Sequence, residues 1–241
     1  MKVAQKIDKK ISRMKIGTTF RYQQLSIPQE EYLAAAKTIE RLISKGVIKR
    51  ISPGVFYKPK QSLFGELKPS EEELLKSYLF EEGKRIAYIT GISLYNRMGL
   101  TTQVPSIIKI ACRSKNIKIS IGVLKGTSVK SYVDVTDNNF YLLEILDALK
   151  DFNKIPDLDK RSGITIMLGK LRELNGEEMK RLVKYCLSYP PRVRAFLGAL
   201  LENLQENDEL GKLKLSLNPL SEYRYNIKEE ILSTASNWNI K

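Results

Sequence analysis

SIPQEEYLAAAKTIERLISKGVIKRISPGVFY, residues 26–57, decides how the chain is read. Ser26 stands where a helix cap would, Gln29 follows three residues on, and Pro28 is tolerated in a first turn. The spacing predicts a helix from there to about Lys45. Tyr32, Leu33, Ala36, Ile39, Leu42 and Ile43 recur at helical intervals and form its expected buried stripe. Ala34, Lys37, Thr38 and Arg41 are expected on the opposite side. Gly46 closes the helix. Val47–Ile51 and Val55–Tyr57 are β-branched and aromatic runs flanking Ser52-Pro-Gly54, which predicts a hairpin.

Working backwards, Val3, Ile7, Ile11 and Met14 predict an amphipathic helix over about 2–14, with Lys6, Lys9, Lys10 and Arg13 outside. Gly17 ends that segment, Thr18-Thr-Phe20 reads as extended, and Tyr22–Leu25 is long enough for one short helix. Helix, short strand, helix, helix, hairpin is the order of a winged helix-turn-helix, expected over residues 1–60. This stretch holds ten lysines and four arginines against Asp8, Glu30, Glu31 and Glu40, a formal +10 of the chain's +14. Basic charge confined to one small module points to a polyanionic partner.

Double-stranded DNA is the expected partner, because a major groove accepts a helix with a small, basic outer face. Lys37 and Arg41 would reach bases or phosphates, with Gln29 and Thr38 as polar readers beside them. Lys49, Arg50 and Lys58 would hold the backbone from the wing, and Thr18 and Thr19 would donate to phosphate. A winged helix used for protein contact has the same pattern; the local charge favours DNA.

Beyond the hairpin, residues 61–70 read as a Pro-flanked linker. Ser70 is placed to cap a helix opening on Glu71-Glu-Glu73 and running to about Phe80. Ile92–Met98 reads as a short helix. Ser106–Cys112, Ile117–Leu124 and Ser131–Val135 read as strands, and Phe140–Lys150 as a helix. Residues 71–155 are therefore expected as a mixed α/β domain. Residues 156–241 read as mainly helical, with helices at Gly176–Ser188 and Arg192–Asn203, the latter started by Pro190-Pro191. Lys212–Leu217 alternates as a short strand would, and the last twenty residues are expected to form a loose end. The fold class is α+β.

The chain has no histidine, which removes Ser-His-Asp and Cys-His nucleophile pairs and His-ligated zinc. Cys112 and Cys186 form no CxxC pattern and read as reduced, packed thiols. One catalytic pattern is present in part. Nucleotidyltransferases pair a Gly-Ser turn with Asp-x-Asp on a strand, and this chain has Gly126-Thr-Ser128 followed by Asp134-Val-Thr-Asp137. Asp-x-x-Asp on a strand sends its carboxylates to opposite faces. Asp157-Leu-Asp159 has the spacing but no strand before it. These acids read as turn and capping residues, so no enzyme activity, cofactor or metal is expected. No apolar run suits a membrane span or a signal peptide, and a cytoplasmic protein without a membrane partner is expected.

The run Gly46-Val-Ile48-Lys-Arg50-Ile-Ser-Pro-Gly54-Val-Phe56-Tyr57 resembles the wing of AbiEi-type antitoxins, which belong to type IV (abortive-infection) toxin–antitoxin systems. Thr90-Gly-Ile-Ser-Leu94 with Gly99-Leu-Thr-Thr-Gln-Val-Pro105 resembles the second-domain signature of that family. The likeness covers about the first 150 residues. It implies a DNA-binding antitoxin and transcriptional autorepressor that binds repeats in its own promoter. It also implies a cognate nucleotidyltransferase-type toxin, countered functionally or by direct contact. The alternatives are a stand-alone winged-helix regulator with an effector- or partner-binding second domain, and a nucleotidyltransferase-related enzyme.

Overall fold

The computed structural model describes residues 3–62, 65–67, 69–121, 124–206 and 208–241. The chain is mixed α+β and divides into two compact units, Met1–Ile86 with Lys118–Lys125, and Ala87–Ile117 with Gly126–Lys241. These bounds differ from the expected 1–60, 71–155 and 156–241. The stretch expected as a linker carries a two-stranded hairpin, β4 (Lys60–Ser62) with β5 (Gly65–Leu67). Leu63, Phe64 and Lys68 of that stretch lie outside the described residues, as do Lys2 of the first predicted helix and Gly122 and Val123 of the second predicted strand.

In the first unit, α1 (Val3–Arg13) buries Ile7 and Ile11. β1 (Thr19–Arg21) follows, and Tyr22–Leu25 makes one 3-10 turn. Then come α2 (Tyr32–Ser44), β2 (Lys49–Ser52) and β3 (Val55–Tyr57). The strands form an antiparallel sheet in the order β1-β3-β2, with Phe20 and Arg50 both opposite Phe56. Ile7, Ile11, Phe20, Ile39, Leu42, Ile48 and Phe56 close the core between the helices and the sheet. Phe20 and Tyr22 both pack on the Phe56 ring, at centroid distances of 5.6 and 5.2 Å. Gly54, at φ +76°, occupies the left-handed position that the β2–β3 turn requires.

Helix α2 corrects two expectations. Ser26 is not its cap: the residue lies at φ +50° and its hydroxyl accepts from Lys10 Nζ at 3.1 Å. A 3-10 turn, Gln29–Glu31, precedes the helix, which starts at Tyr32. The buried face is Ala35, Thr38, Ile39 and Leu42, whereas Leu33 is 82% and Tyr32 48% exposed. At about 100° per residue these four positions share one arc, and Leu33 lies opposite its centre. Small Ala35 admits close backbone approach. Thr38 is buried at low cost because its hydroxyl donates to the Ala34 carbonyl at 2.8 Å.

Helix α3 (Glu71–Leu79) begins at Ser70, whose hydroxyl accepts from the Glu73 amide as expected. A two-residue hairpin, β6 (Phe80–Glu81) with β7 (Lys84–Arg85), follows.

The second unit contains β8 (Ala87–Thr90), α4 (Ile92–Arg97) and β9 (Ile108–Cys112). β10 (Lys118–Ile121) belongs to the segment that returns to the first unit. β11 (Leu124–Lys130) pairs in parallel with β9 from Gly126 onward, and β8 pairs antiparallel on the other side of β9. Gly126-Thr-Ser128, read as a turn, is therefore mid-strand, and Ser131–Val135 forms no strand. Helix α5 (Phe140–Asp151) is buried at every position from Leu142 to Leu149. Such a helix needs partners all round, and it has them in α4, β8, α7 (Gly176–Cys186) and α8 (Pro191–Asn203). Helix α6 (Lys160–Arg172) was not anticipated; Asp159 caps it by accepting from the Ser162 amide at 2.8 Å. Lys212–Leu217, read as a strand, falls largely in α9 (Leu210–Leu215). The C-terminal segment is not loose: Tyr225, Leu232, Trp238 and Ile240 join the core.

Candidate nucleic-acid interface

The residues expected to meet DNA do not form one surface. On α2, Lys37 is exposed and, among the described residues, its ammonium has no side-chain partner. It shares the outward arc with Leu33, Glu40 and Ser44, with Arg41 and Ala34 at the margins. Arg41 is exposed but forks onto Asp8, with Nη2 at 3.0 and 3.3 Å from the two carboxylate oxygens. Gln29 is exposed in the 3-10 turn beside the start of α2. Thr38 faces inward, so it cannot read a base from this helix.

Thr19 is buried; its hydroxyl donates to the Glu73 carbonyl at 2.7 Å and its amide to the Glu73 carboxylate at 3.2 Å. It fastens β1 to α3 instead of holding phosphate. Thr18 is half-buried, with its amide on the Lys15 carbonyl and its own carbonyl accepting from the Lys58 amide. Lys58 turns back from the sheet. Its ammonium donates to the carbonyls of Ile11, Ser12 and Met14 at 3.3, 3.0 and 3.0 Å. The Ile11 carbonyl also accepts from the Met14 amide at 3.1 Å, so Lys58 is a second donor there, at the end of α1 where the helix dipole favours a cation. Lys58→Ala is therefore expected to lower stability by about 1–2 kcal/mol, read by urea unfolding, while DNA affinity changes little. A large affinity loss at unchanged stability would return Lys58 to the interface.

Lys49 is ion-paired with Glu66, which also accepts from the Tyr57 hydroxyl. Burial, then this bond, pushes Tyr57 up to about 12. Arg50 is exposed on β2, its guanidinium carbon 5.6 Å from the Phe56 ring centre. The exposed cations of the first unit without side-chain partners among the described residues include Lys9, Arg13, Lys15, Lys37 and Lys45. Four of these were not assigned to the interface from sequence. The signal was present, since Lys9 and Arg13 sit opposite the Ile7/Ile11 stripe. Leu33, expected in the buried stripe from its apolar identity, faces outward because its angular position on α2 lies opposite the buried arc.

The weighed catalytic acids are dispersed. Asp134 pairs with Arg113, Asp157 accepts from Gln103, and Asp159 caps α6. Among the described residues no cluster of three metal-ligating side chains occurs, and no helix is long and apolar enough to cross a membrane.

No curated protein matches the chain. The model of DUF6088, a family of unknown function, matches residues 6–173, from within α1 to the end of α6, and the chain belongs to that family.

Proposed function

We propose that this protein is a DNA-binding regulator whose first sixty residues act as a winged helix-turn-helix, with α2 as the groove-facing helix and the β2–β3 hairpin as the wing. The observation that carries this reading is the +10 charge of that module combined with an outward α2 face on which Lys37 stands without a partner. Leu33 on the same face suits apolar contact with a thymine methyl, while Lys37 and Arg41 suit base edges or phosphates. Lys9, Arg13 and Lys45 supply further exposed positive charge on the module. The reading assigns no catalytic role.

Within this proposal the protein is an antitoxin and autorepressor acting on its own promoter. That part rests on the likeness to AbiEi-type antitoxins alone, since the family match names neither a toxin nor an operator. The expected toxin is of nucleotidyltransferase type. Co-expression with the product of the adjacent reading frame tests it, and failure to restore growth with the protein folded and abundant removes the antitoxin role.

DNA binding is tested by mobility shift of the full chain on its upstream region across a salt series. The logarithm of affinity should fall linearly with that of salt, at about −0.9 per phosphate neutralised. Lys37→Ala should weaken binding about tenfold and, if it holds a phosphate, flatten the slope by about one. An exposed, unpaired lysine leaves the fold intact when truncated, so unchanged affinity would take α2 off the DNA.

A further inference from the structure

A cavity of about 420 Å³ opens in the first unit between the end of β1, the Ser52–Gly54 turn, α3 and the returning segment with β10. Two cations, Arg21 and Lys118, line it with Ser52, Ser120 and two tyrosines, Tyr22 and Tyr78; none of the described lining residues is acidic. Arg21 stands over Tyr78, its guanidinium carbon 3.9 Å from the ring centre. Stacking occupies the face of the guanidinium and leaves its in-plane N–H groups to seek acceptors. Of these, Nε is buried without a hydrogen-bond partner among the described residues. A buried donor without an acceptor costs about 1–3 kcal/mol.

We propose that this cavity is a phosphate-binding site, with Arg21 as the stacked, fork-shaped donor and Lys118 as the second positive charge. Tetrahedral oxyanions with several acceptor oxygens suit a guanidinium edge, an ammonium and two hydroxyls together. The volume falls within the range of about 300–1,000 Å³ typical of small-molecule sites and exceeds what one phosphate fills. The phosphate can thus come from a small nucleotide or, because the turn of the proposed wing forms one wall, from a DNA backbone. In the second case the inference rests on the DNA-binding reading; in the first it does not.

The test uses the full chain and titrates inorganic phosphate and adenosine monophosphate by calorimetry, against chloride at matched ionic strength. Saturable binding is expected, weakened about tenfold in Arg21→Gln, the loss of one charge-assisted contact. Because Arg21 packs on Tyr78, that variant can lose structure. Lys118→Gln, at an exposed position, should leave the unfolding midpoint unchanged and still weaken both probes several-fold. Mobility shifts then separate the sources. If Lys118→Gln also lowers DNA affinity, and phosphate displaces DNA better than chloride does, the phosphate is the backbone's. If both probes bind and DNA affinity is untouched, the ligand is a small phosphorylated molecule. If neither probe saturates and Lys118→Gln binds DNA like the unaltered chain, the site is overturned. A chain that binds the probes but no DNA would sink the regulator reading and leave this one standing.

Discussion

Asp147→Ala should destabilise the second unit by about 3–5 kcal/mol, the range for breaking a buried charged pair. Asp147 is 2% exposed on α5. One carboxylate oxygen accepts from the Tyr88 hydroxyl at 2.9 Å and the Thr90 hydroxyl at 2.7 Å. The other accepts from Lys150 Nζ at 2.8 Å and the Tyr189 hydroxyl at 3.4 Å. β8, α5 and Tyr189, just before the Pro190 cap of α8, thus meet on a single side chain. Burial, then the Asp147 charge, raises the pKa of both Tyr88 and Tyr189, which keeps their hydroxyls protonated as donors. Burial alone would lower the Lys150 pKa, but Asp147 and Asp151 reverse that, so the ammonium stays charged beside the carboxylate. Alanine would strand three hydroxyl donors and take from Lys150 the nearer of its two carboxylates in one step. Against a typical total of about 5–15 kcal/mol, this is at least about a fifth of the stability. Asp147→Asn keeps an acceptor and the volume, so it should cost less. Urea unfolding followed by near-ultraviolet circular dichroism measures both, and a loss under about 1 kcal/mol in the alanine variant would show that the network is replaceable by water.

None of that network was legible in the sequence, although its helix was. Phe140–Lys150 reads as helical from composition and spacing alone, and so do α1 and the hairpin around Pro53-Gly54. Local patterns carry those elements. Elements set by distant partners were misread. β11 contains Gly126, Thr127 and Ser128, turn-forming residues by local preference, and becomes a strand through parallel pairing with β9. Leu213 is buried, yet Lys212–Leu217 alternates as a strand would; α9 exists because it packs on α8. Site residues follow the same rule. That Lys37 faces outward follows from helical angle. That Lys58 caps α1 and Lys49 meets Glu66 depends on groups that only the fold brings near. Counting basic residues therefore located the module and overstated how many of its cations are available to a ligand.

The C-terminal segment gives the sharpest reversal, and Trp238→Ala should cost about 3–5 kcal/mol. Trp238 is 2% exposed and its indole lies against Gly198 of α8. Its Nε1 donates to Glu202, and Lys214 Nζ stands 5.1 Å over the ring. Nearby, the Thr234 hydroxyl donates to the Ala199 carbonyl at 2.6 Å, and the Tyr223 amide to the Asn239 carbonyl at 2.8 Å. Gly198 decides the mechanism. In a helix interior, glycine to alanine normally gains about 0.5–1 kcal/mol. Here an added Cβ would sit 2.3 Å from two indole carbons, closer than any tolerable contact. Overpacking of this kind costs about 1–3 kcal/mol, so the clash outweighs propensity and Gly198→Ala should be destabilising. Removing the indole should reverse that sign. In the Trp238→Ala background, Gly198→Ala should be stabilising, because the new methyl enters the vacated space and the propensity gain is no longer opposed. The double-mutant cycle, measured by urea unfolding, should thus show a coupling of about 1–3 kcal/mol with a change of sign. Equal effects of Gly198→Ala in both backgrounds would mean that Trp238 does not rest on α8 in solution, and the chain's end would then be the loose segment that its sequence suggested.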